Sequence, residues 1–324
     1  MKEKNDMYKI VDLLNGSRID AAYAEAAMAQ GVICVHITVN NFSTINPLPD
    51  LRSGLHELAA CRRHYKSLES HVRIVESFPD ILEAQKEGKL AVILGYQNLP
   101  GIERDLELLE LYRALGVRIM QFAHNVRNLY GDGCAEPADA GVSSLGKTLV
   151  EELNRQRMLI DISHVGERTA LEVIALSRHP VAATHANART VCDNVRNKSD
   201  AVLDALKEAG GLVGVTYLPP LVRKGVKPSH AELSRHVAHI RGRIGAESLA
   251  IGSDFITGQP AERYEEFMRR PDVYGTWPWR FPVEDLPDQQ KWLRSLREID
   301  LSDEDIDQLA GGNALRVLQS VWEN

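Results

Sequence analysis

The sequence has 324 residues, of which 44% are hydrophobic and 26% charged, with a formal net charge of −7. A chain of that length can bury a large core without disulfides or a structural metal, and its negative balance, with no basic cluster, argues against nucleic acid and anionic membrane as partners. The opening stretch MKEKNDMYKIVDLLN has no apolar run long enough for a signal peptide or a spanning helix. Cys34, Cys61, Cys134 and Cys192 lie far apart with no C-x-x-C pair, and scattered thiols of this kind fit a cytoplasmic protein.

In chain order, short β-branched runs alternate with amphipathic helical stretches. The runs are KIVDLL from Lys9, VICVHITV from Val32, LAVILGYQN from Leu90, VRIMQFAH from Val117, LIDISH from Leu159, PVAATHAN from Pro180, LVGVTYLPP from Leu212 and LAIGSDFI from Leu249. Most are almost continuously apolar, the pattern of parallel strands covered on both faces. Between them, DLELLELYRALG repeats leucine at helical spacing and stops at Gly116. SLGKTLVEELNRQ opens on a serine, and SDAVLDALKEAGG starts from Ser199 and Asp200 and ends at Gly210 and Gly211. Such repetition predicts either a closed barrel or a doubly wound sheet. No G-x-G-x-x-G follows the first run, which removes the main support for a dinucleotide fold. The expectation is an α/β chain folded as one TIM-like (β/α)8 barrel domain over residues 1–324.

No linker divides the chain. Its most irregular stretch runs from Thr257 to Gln289, after the eighth run. In a barrel that places it over the active-site face, where a long loop acts as a lid or binding loop. The plainer alternative is a packed surface excursion.

The C-terminal ends of the runs carry the chemistry. The third ends at Gln97 and Asn98, the fourth at His124, the fifth at His164, the sixth at His185 and the eighth at Asp254. In a barrel all of these converge on one rim. Neutral imidazole nitrogens suit a transition metal, and a nearby carboxylate can ligate it or take a proton from water. Singly, each has a plain structural explanation; together on separate strands they point to a site. His236 and His239, with Glu232 on the helix ELSRHVAHIRGRIG, have a spacing that could mimic a helical metal pair. That helix lies outside the barrel, and a packing or solvated role is the better reading. His36 lies within the second run and faces either the barrel core or the helix layer.

LIDISHVGERT, PVAATHANART and VRNKSD, taken together, resemble the membrane dipeptidase (renal dipeptidase) family of metal-dependent hydrolases, and IGSDF resembles that family's eighth-strand motif. The stretch from Asn128 to Gly166 is similar to a bacterial branch of the family, and the likeness runs from about Lys89 to the C-terminal GGNALRVLQSVW. It implies that His164 and His185 bind the second of two zinc ions. It implies that Asp254 serves the first zinc and proton transfer, and that His124 holds the substrate and polarises its carbonyl. Arg196 falls on an arginine that pairs with the substrate's carboxylate, a role suited to a guanidinium fork. Asn98, beside Gln97, is a further candidate substrate contact. Family members often dimerise, so the resemblance leaves a homodimer open without implying one.

The chain also departs from the family pattern. With Asp12 on the first Asp of the family's Asp-Gly-His-x-Asp motif, Leu14 stands at the histidine and Gly16 at the second aspartate. Gln97 stands at the glutamate that bridges the two metals; an amide carries no charge and bridges two cations poorly. The expected function is therefore hydrolysis of a small carboxylate-bearing amide or dipeptide. At most one ion, Zn²⁺ or another divalent metal, would sit on His164 and His185, with Gln97 or Asp254 and water completing its shell. Two alternatives stay open: a barrel enzyme of another class, such as a lyase or isomerase working by His and Asp acid–base chemistry, and a binding protein that kept the barrel and lost the chemistry.

Overall fold

Nine parallel strands alternate with helices along the chain in a computed structural model that describes residues 7–39, 50–99, 101–102, 104–225, 227–259, 264–265, 268–269, 271–274 and 279–323. The strands are β1 (Ile10–Asn15), β2 (Val32–Thr38), β3 (Val72–Ile74), β4 (Leu90–Tyr96), β5 (Val117–Gln121), β6 (Leu159–Asp161), β7 (Ala182–Ala183), β8 (Leu212–Val215) and β9 (Leu249–Ile251). Eight of them close on themselves in the order β1-β2-β4-β5-β6-β7-β8-β9, and β9 returns to β1 by pairing Ile251 with Asp12. These are the eight apolar runs of the sequence, so the expected closed barrel is the observed one.

β3 corrects that expectation in one detail. It is an additional strand of three residues, pairing Val72–Ile74 with Leu90–Val92 of β4, before the point where β5 joins β4 at Leu94. Three residues are too few to show a period of two, so the segment carries no strand signal in the sequence.

Alternate residues of the strands fill the barrel. Val11, Cys34, Ala91, Ile119, Leu159, Ala182, Leu212 and Ala250 belong to one buried cluster, completed by residues of the C-terminal helix Asn313–Glu323 such as Val317, Leu318 and Val321. That helix covers the N-terminal end of the barrel, and the outer faces of the strands pack on the surrounding helices in a second, larger cluster. Ser199 caps its helix as the sequence suggests, accepting from Val202 N at 3.4 Å, while the helix that begins at Ser144 is capped one residue earlier, by Ser143, which accepts from Gly146 N at 3.0 Å. Among the described residues no helix is long and apolar enough to cross a membrane.

Higher in the barrel the filling turns polar. His36 faces inward with its Nδ1 on the carbonyl of Leu13, and its Nε2 lies where a side chain on Gly95 would begin: a Cβ there would come within 2.1 Å of it. Residue 95 must therefore be glycine for the imidazole to fit. The seam between first and last strand is polar too. Buried Asp12 accepts from Ser253 N at 2.8 Å and from Ser253 Oγ, and on its own side from Asn15 Nδ2 at 3.0 Å and Leu14 N at 3.3 Å. Burial pushes its pKa up to about 7, against the pull of those four donors.

When ionised, Asp12 thus stitches β1 to the loop after β9 with an acceptor-only group. In Asp12→Asn, an amide NH₂ must face one of these donors, leaving buried N–H or O–H groups without an acceptor. That costs about 1–3 kcal/mol, and urea denaturation above about pH 8, where Asp12 is ionised, should read a loss of that size. A variant as stable as the wild type would show that the seam does not depend on the carboxylate.

Candidate active site

The rim residues lie one to three positions beyond their strands. Gln97 follows β4 directly, His124 lies beyond β5, His164 beyond β6, His185 beyond β7 and Asp254 beyond β9. Three non-glycine residues on this rim adopt left-handed backbone conformations: Asn98 (φ 112°), Asn125 (φ 60°) and Asp254 (φ 55°). Asn and Asp tolerate this region better than other residues, yet the concentration of such conformations at one rim is typical of a functional site.

Three imidazoles come together here. His124 stacks on His164 with ring centroids 4.1 Å apart and an interplanar angle of 21°, and the rings of His164 and His185 are 4.9 Å apart. The Nε2 atoms of His164 and His185 face each other at 2.9 Å. Hydrogen bonds on the far side of each ring decide what those atoms carry. The amide oxygen of Asn125 can only accept, so His164 holds its proton on Nδ1, 2.8 Å away. Thr184 donates its hydroxyl hydrogen to Asp161 at 2.7 Å, so its oxygen accepts from His185 Nδ1 at 2.8 Å. Ser163 Oγ and the backbone N–H groups of Ser163 and Thr184 also donate to Asp161, which holds this network in place. Both Nε2 atoms are therefore left with lone pairs, aimed at each other.

Two lone pairs at that distance repel unless a cation lies between them. On one tetrahedral zinc ion, two imidazole nitrogens lie about 3.3 Å apart, given Zn–N bonds of about 2.0–2.1 Å. The pair is thus close to the spacing a transition metal needs, and the neutral imidazole is the ligating form. Burial, and after it the Arg196 guanidinium, holds both histidines well below the usual histidine range. The donor set is incomplete, however: among the described residues no group of three or more His, Cys, Asp or Glu is arranged to hold a metal.

Arg196 is fully buried. Its Nη1 donates to the carbonyl of Ser163 and its Nη2 to that of His185 at 3.2 Å, so it ties together the two loops that carry the histidine pair. Lys198, also buried, donates to the carbonyl of Val165 at 3.4 Å, and burial and Arg196 lower its pKa to about 7. Asp254 is partly buried, with its N–H on the carbonyl of Leu14 at 2.9 Å. Its Oδ1 leans towards Gly16, 3.8 Å from where a Cβ on that residue would sit. The same Cβ would meet Ile256 Cγ2 at 2.9 Å and the carbonyl of Phe255 at 3.1 Å, so the chain at Gly16 is packed too closely for a side chain without a shift. Gln97 donates its backbone N–H to Thr38 Oγ1 at 3.3 Å. Asn98 is buried, and its amide oxygen accepts from Asn128 Nδ2 at 3.1 Å and from Leu99 N at 3.0 Å, bracing the loop after β5.

His236 is used elsewhere. It is buried between the N–H of Ala188 at 3.2 Å and the carbonyl of Val222 at 3.0 Å, and burial lowers its pKa to about 4. His239 pairs with Asp200 at 2.8 Å. Of the stretch Thr257–Gln289, residues 260–263, 266–267, 270 and 275–278 lie outside the described residues. Its short helix Pro271–Tyr274 does reach the rim, where Tyr274 Oη accepts from Asn125 Nδ2 at 2.8 Å. Asn125, Asp161, Thr184, Lys198 and Tyr274 were not candidates from sequence. The signal for Asp161 and Thr184 was present, since polar residues inside strands buried on both faces need a reason to be there.

A parallel barrel with a buried imidazole pair and a carboxylate on its C-terminal rim defines a class of barrel hydrolases. Within that class, residues 6–274 match the membrane dipeptidase family (peptidase family M19), and the chain belongs to that family. Dipeptidase tcpJ of Claviceps purpurea is 28% identical over 285 residues, covering 87% of this chain and 63% of that protein. Human Dipeptidase 3 is 28% identical over 260 residues, covering 78% and 49%. The chain thus spans less than two thirds of the length of these relatives. Among solved structures, an amidohydrolase from Pseudomonas aeruginosa superposes with a TM-score of 0.87 at 26% identity, covering 98% of this chain and 97% of the other. A metallo peptidase from Rhodobacter sphaeroides, liganded with a phosphinate mimic of the dipeptide L-Ala-D-Ala, shares the fold with a TM-score of 0.80 at 18% identity, covering 98% and 100%.

The lowered histidine pKa values fix a sign for acid sensitivity. The unfolded chain takes up protons below about pH 6.5 that folded His164 and His185 refuse, so the stability these groups contribute is lost as pH falls from there. Each adds a slope of about 1.4 kcal/mol per pH unit. Denaturation between pH 6.5 and 5 should show a steeper loss for the wild type than for His164→Gln. Equal slopes would show that the folded pair binds protons as readily as the unfolded chain.

Proposed function

We propose that the chain hydrolyses a small carboxylate-bearing amide or dipeptide at a reduced site holding at most one divalent ion, with zinc the first candidate. Membership of a metallopeptidase family supports the reaction class. The observation that carries the reading is the facing lone pairs of His164 and His185, 2.9 Å apart with both ring protons turned away. The reduced site is supported by Leu14, Gly16 and Gln97 at the positions where the family's other ligands are expected, and by the close packing at Gly16. Arg196 and Lys198 add a positive field that acts against a second cation.

A bound ion would supply Lewis-acid polarisation of the scissile carbonyl and acidify a water. The protein's own groups do the rest. Asp254 accepts a proton from the attacking water and returns it to the leaving nitrogen. His124, partly exposed and stacked on His164, orients the carbonyl, with Asn98 and Gln97 on the neighbouring wall. Arg196 supplies positive charge for the substrate's carboxylate while its Nη atoms hold the two histidine loops. Residues Thr257–Gln289 act as the lid. A second reading, acid–base chemistry by His124 and Asp254 without metal, is favoured by that same positive field beside the pair.

With zinc supplied, a panel of dipeptides, N-acyl amino acids and cyclic amides should yield a hydrolysed substrate. Asp254→Asn should lower kcat by about 10²–10⁴-fold with circular dichroism unchanged. Turnover by that variant at close to the wild-type rate would contradict the role of Asp254. Full wild-type turnover in the presence of a strong chelator would favour the metal-free reading instead.

A further inference from the structure

Arg196 and Lys198 close on His164 from both sides. Arg196 Nη1 donates to the carbonyl of Ser163, just before the histidine, and Lys198 Nζ donates to that of Val165, just after it, at 3.4 Å. Asn197 between them turns away, to the carbonyls of Cys192 and Leu221, each at 2.8 Å. Both cations are buried, and among the described residues neither forms an ion pair with an Asp or Glu. Asp161 attracts Lys198 from beyond bonding distance, and its own oxygens already accept from the backbone N–H and side-chain hydroxyl of Ser163 and of Thr184.

Donors outnumber acceptors here. A guanidinium and an ammonium can only donate. Arg196 Nε is buried with no partner, and Lys198 has one long bond for three hydrogens. Charge buried without a counter-ion is costly, and an anion between two such cations offsets that cost. Burial and Arg196 lower the Lys198 pKa to about 7, so near neutral pH an arriving anion lets this amine take or keep its proton. The cluster also meets the rim. Cys134 holds its N–H on the carbonyl of His164 at 2.8 Å and its thiol on Asn125 Oδ1 at 3.4 Å. Burial raises the pKa of that thiol, and Arg196 and Lys198, beside it, draw it back. Cys134 keeps 9% of its surface exposed, against 0% for Arg196 and 3% for Lys198, so solvent reaches the cluster at the thiol.

We propose that Lys198 is a substrate-binding residue, which with Arg196 forms a two-cation site for the substrate's carboxylate beside His164. This deepens the reading of a carboxylate-bearing substrate and rests on it for the identity of the ligand. One carboxylate oxygen pairs with Arg196 Nε and the other with Lys198 Nζ. The Nη bonds of Arg196 to the two histidine loops then stay in place, and the same side chain holds loops and substrate together. A neutral group at this position would leave both cations without a counter-ion, so the site selects for charge.

The test uses the full chain and reads binding, without turnover. The probes are N-acetylglycine and its neutral counterpart N-acetylglycinamide, titrated by NMR near neutral pH at constant ionic strength. The wild type should bind the carboxylate more tightly than the amide. Lys198→Met should weaken carboxylate binding about 30-fold or more and leave the amide unchanged. Lys198→Gln keeps a donor for the Val165 carbonyl without the charge and should show the same loss. Wild-type affinity for the carboxylate in Lys198→Gln would show that the bond matters and the charge does not, and would overturn the proposal. Equal losses for both probes would give Lys198 a structural role and overturn it too, as would a wild type that binds the two probes equally or binds neither. If circular dichroism shows that Lys198→Met does not fold, Lys198→Gln alone decides between these outcomes. A wild type that prefers the carboxylate but hydrolyses nothing keeps the site and loses only the reaction class, so the two failures are told apart.

Discussion

Two imidazole lone pairs pointed at each other are an unfavourable arrangement that a folded protein keeps only if other bonds enforce it. Here the enforcement comes from behind each ring. Asn125 offers His164 an oxygen and no hydrogen, and Thr184, having given its hydrogen to Asp161, offers His185 the same. Because Asp161 is fully buried and accepts from both Ser163 and Thr184, the loops after β6 and β7 cannot move independently, and the 2.9 Å approach follows from that coupling. Arg196 repeats the constraint from the opposite direction by binding a carbonyl in each loop. The rest of the rim is arranged around this pair.

The barrel supplies what such an arrangement needs. Its lower half is filled by aliphatic side chains and covered by the C-terminal helix, while its upper half holds His36, Gln121, Asp161 and Thr184. Burying polar groups is costly unless they find partners, and most of these find them in each other or in backbone carbonyls freed at strand ends. Asp12 at the β1–β9 seam does for barrel closure what Asp161 does for the histidine loops: one acceptor-only carboxylate gathers several donors from two strands. The electrostatic result is a site with buried positive charge from Arg196, to which Lys198 adds its own below about pH 7. That field opposes the entry of cationic charge and favours anionic groups.

Much of this was legible in the sequence, and for a physical reason. Strands buried on both faces are long apolar runs, so all eight barrel strands could be read, and chemistry at their C-terminal ends stood out because it interrupts those runs. His164, His185, His124 and Asp254 were found this way. What escaped notice was either too short to have a period, as with Val72–Ile74, or depended on three-dimensional neighbours. Nothing in the sequence says that Asn125 faces His164, or that Tyr274, 149 positions further on, would meet its amide. Arg196 stands out only through the family resemblance, and nothing in the sequence shows it fully buried: its partners are backbone carbonyls, which every residue has and no motif reveals. Asp161 and Thr184 stand out as polar residues within apolar runs, but only the closed barrel shows that they face each other and hold the histidine loops.

Under the proposed function, His164 and His185 together form one metal centre and no second ion shares the site. Anomalous diffraction at the zinc edge from crystals grown with zinc tests it most directly. A single strong peak about 2.0–2.1 Å from both Nε2 atoms is the expected result. Two peaks within the site, or zinc elsewhere on the molecule with the two imidazoles left in contact with each other, would contradict it.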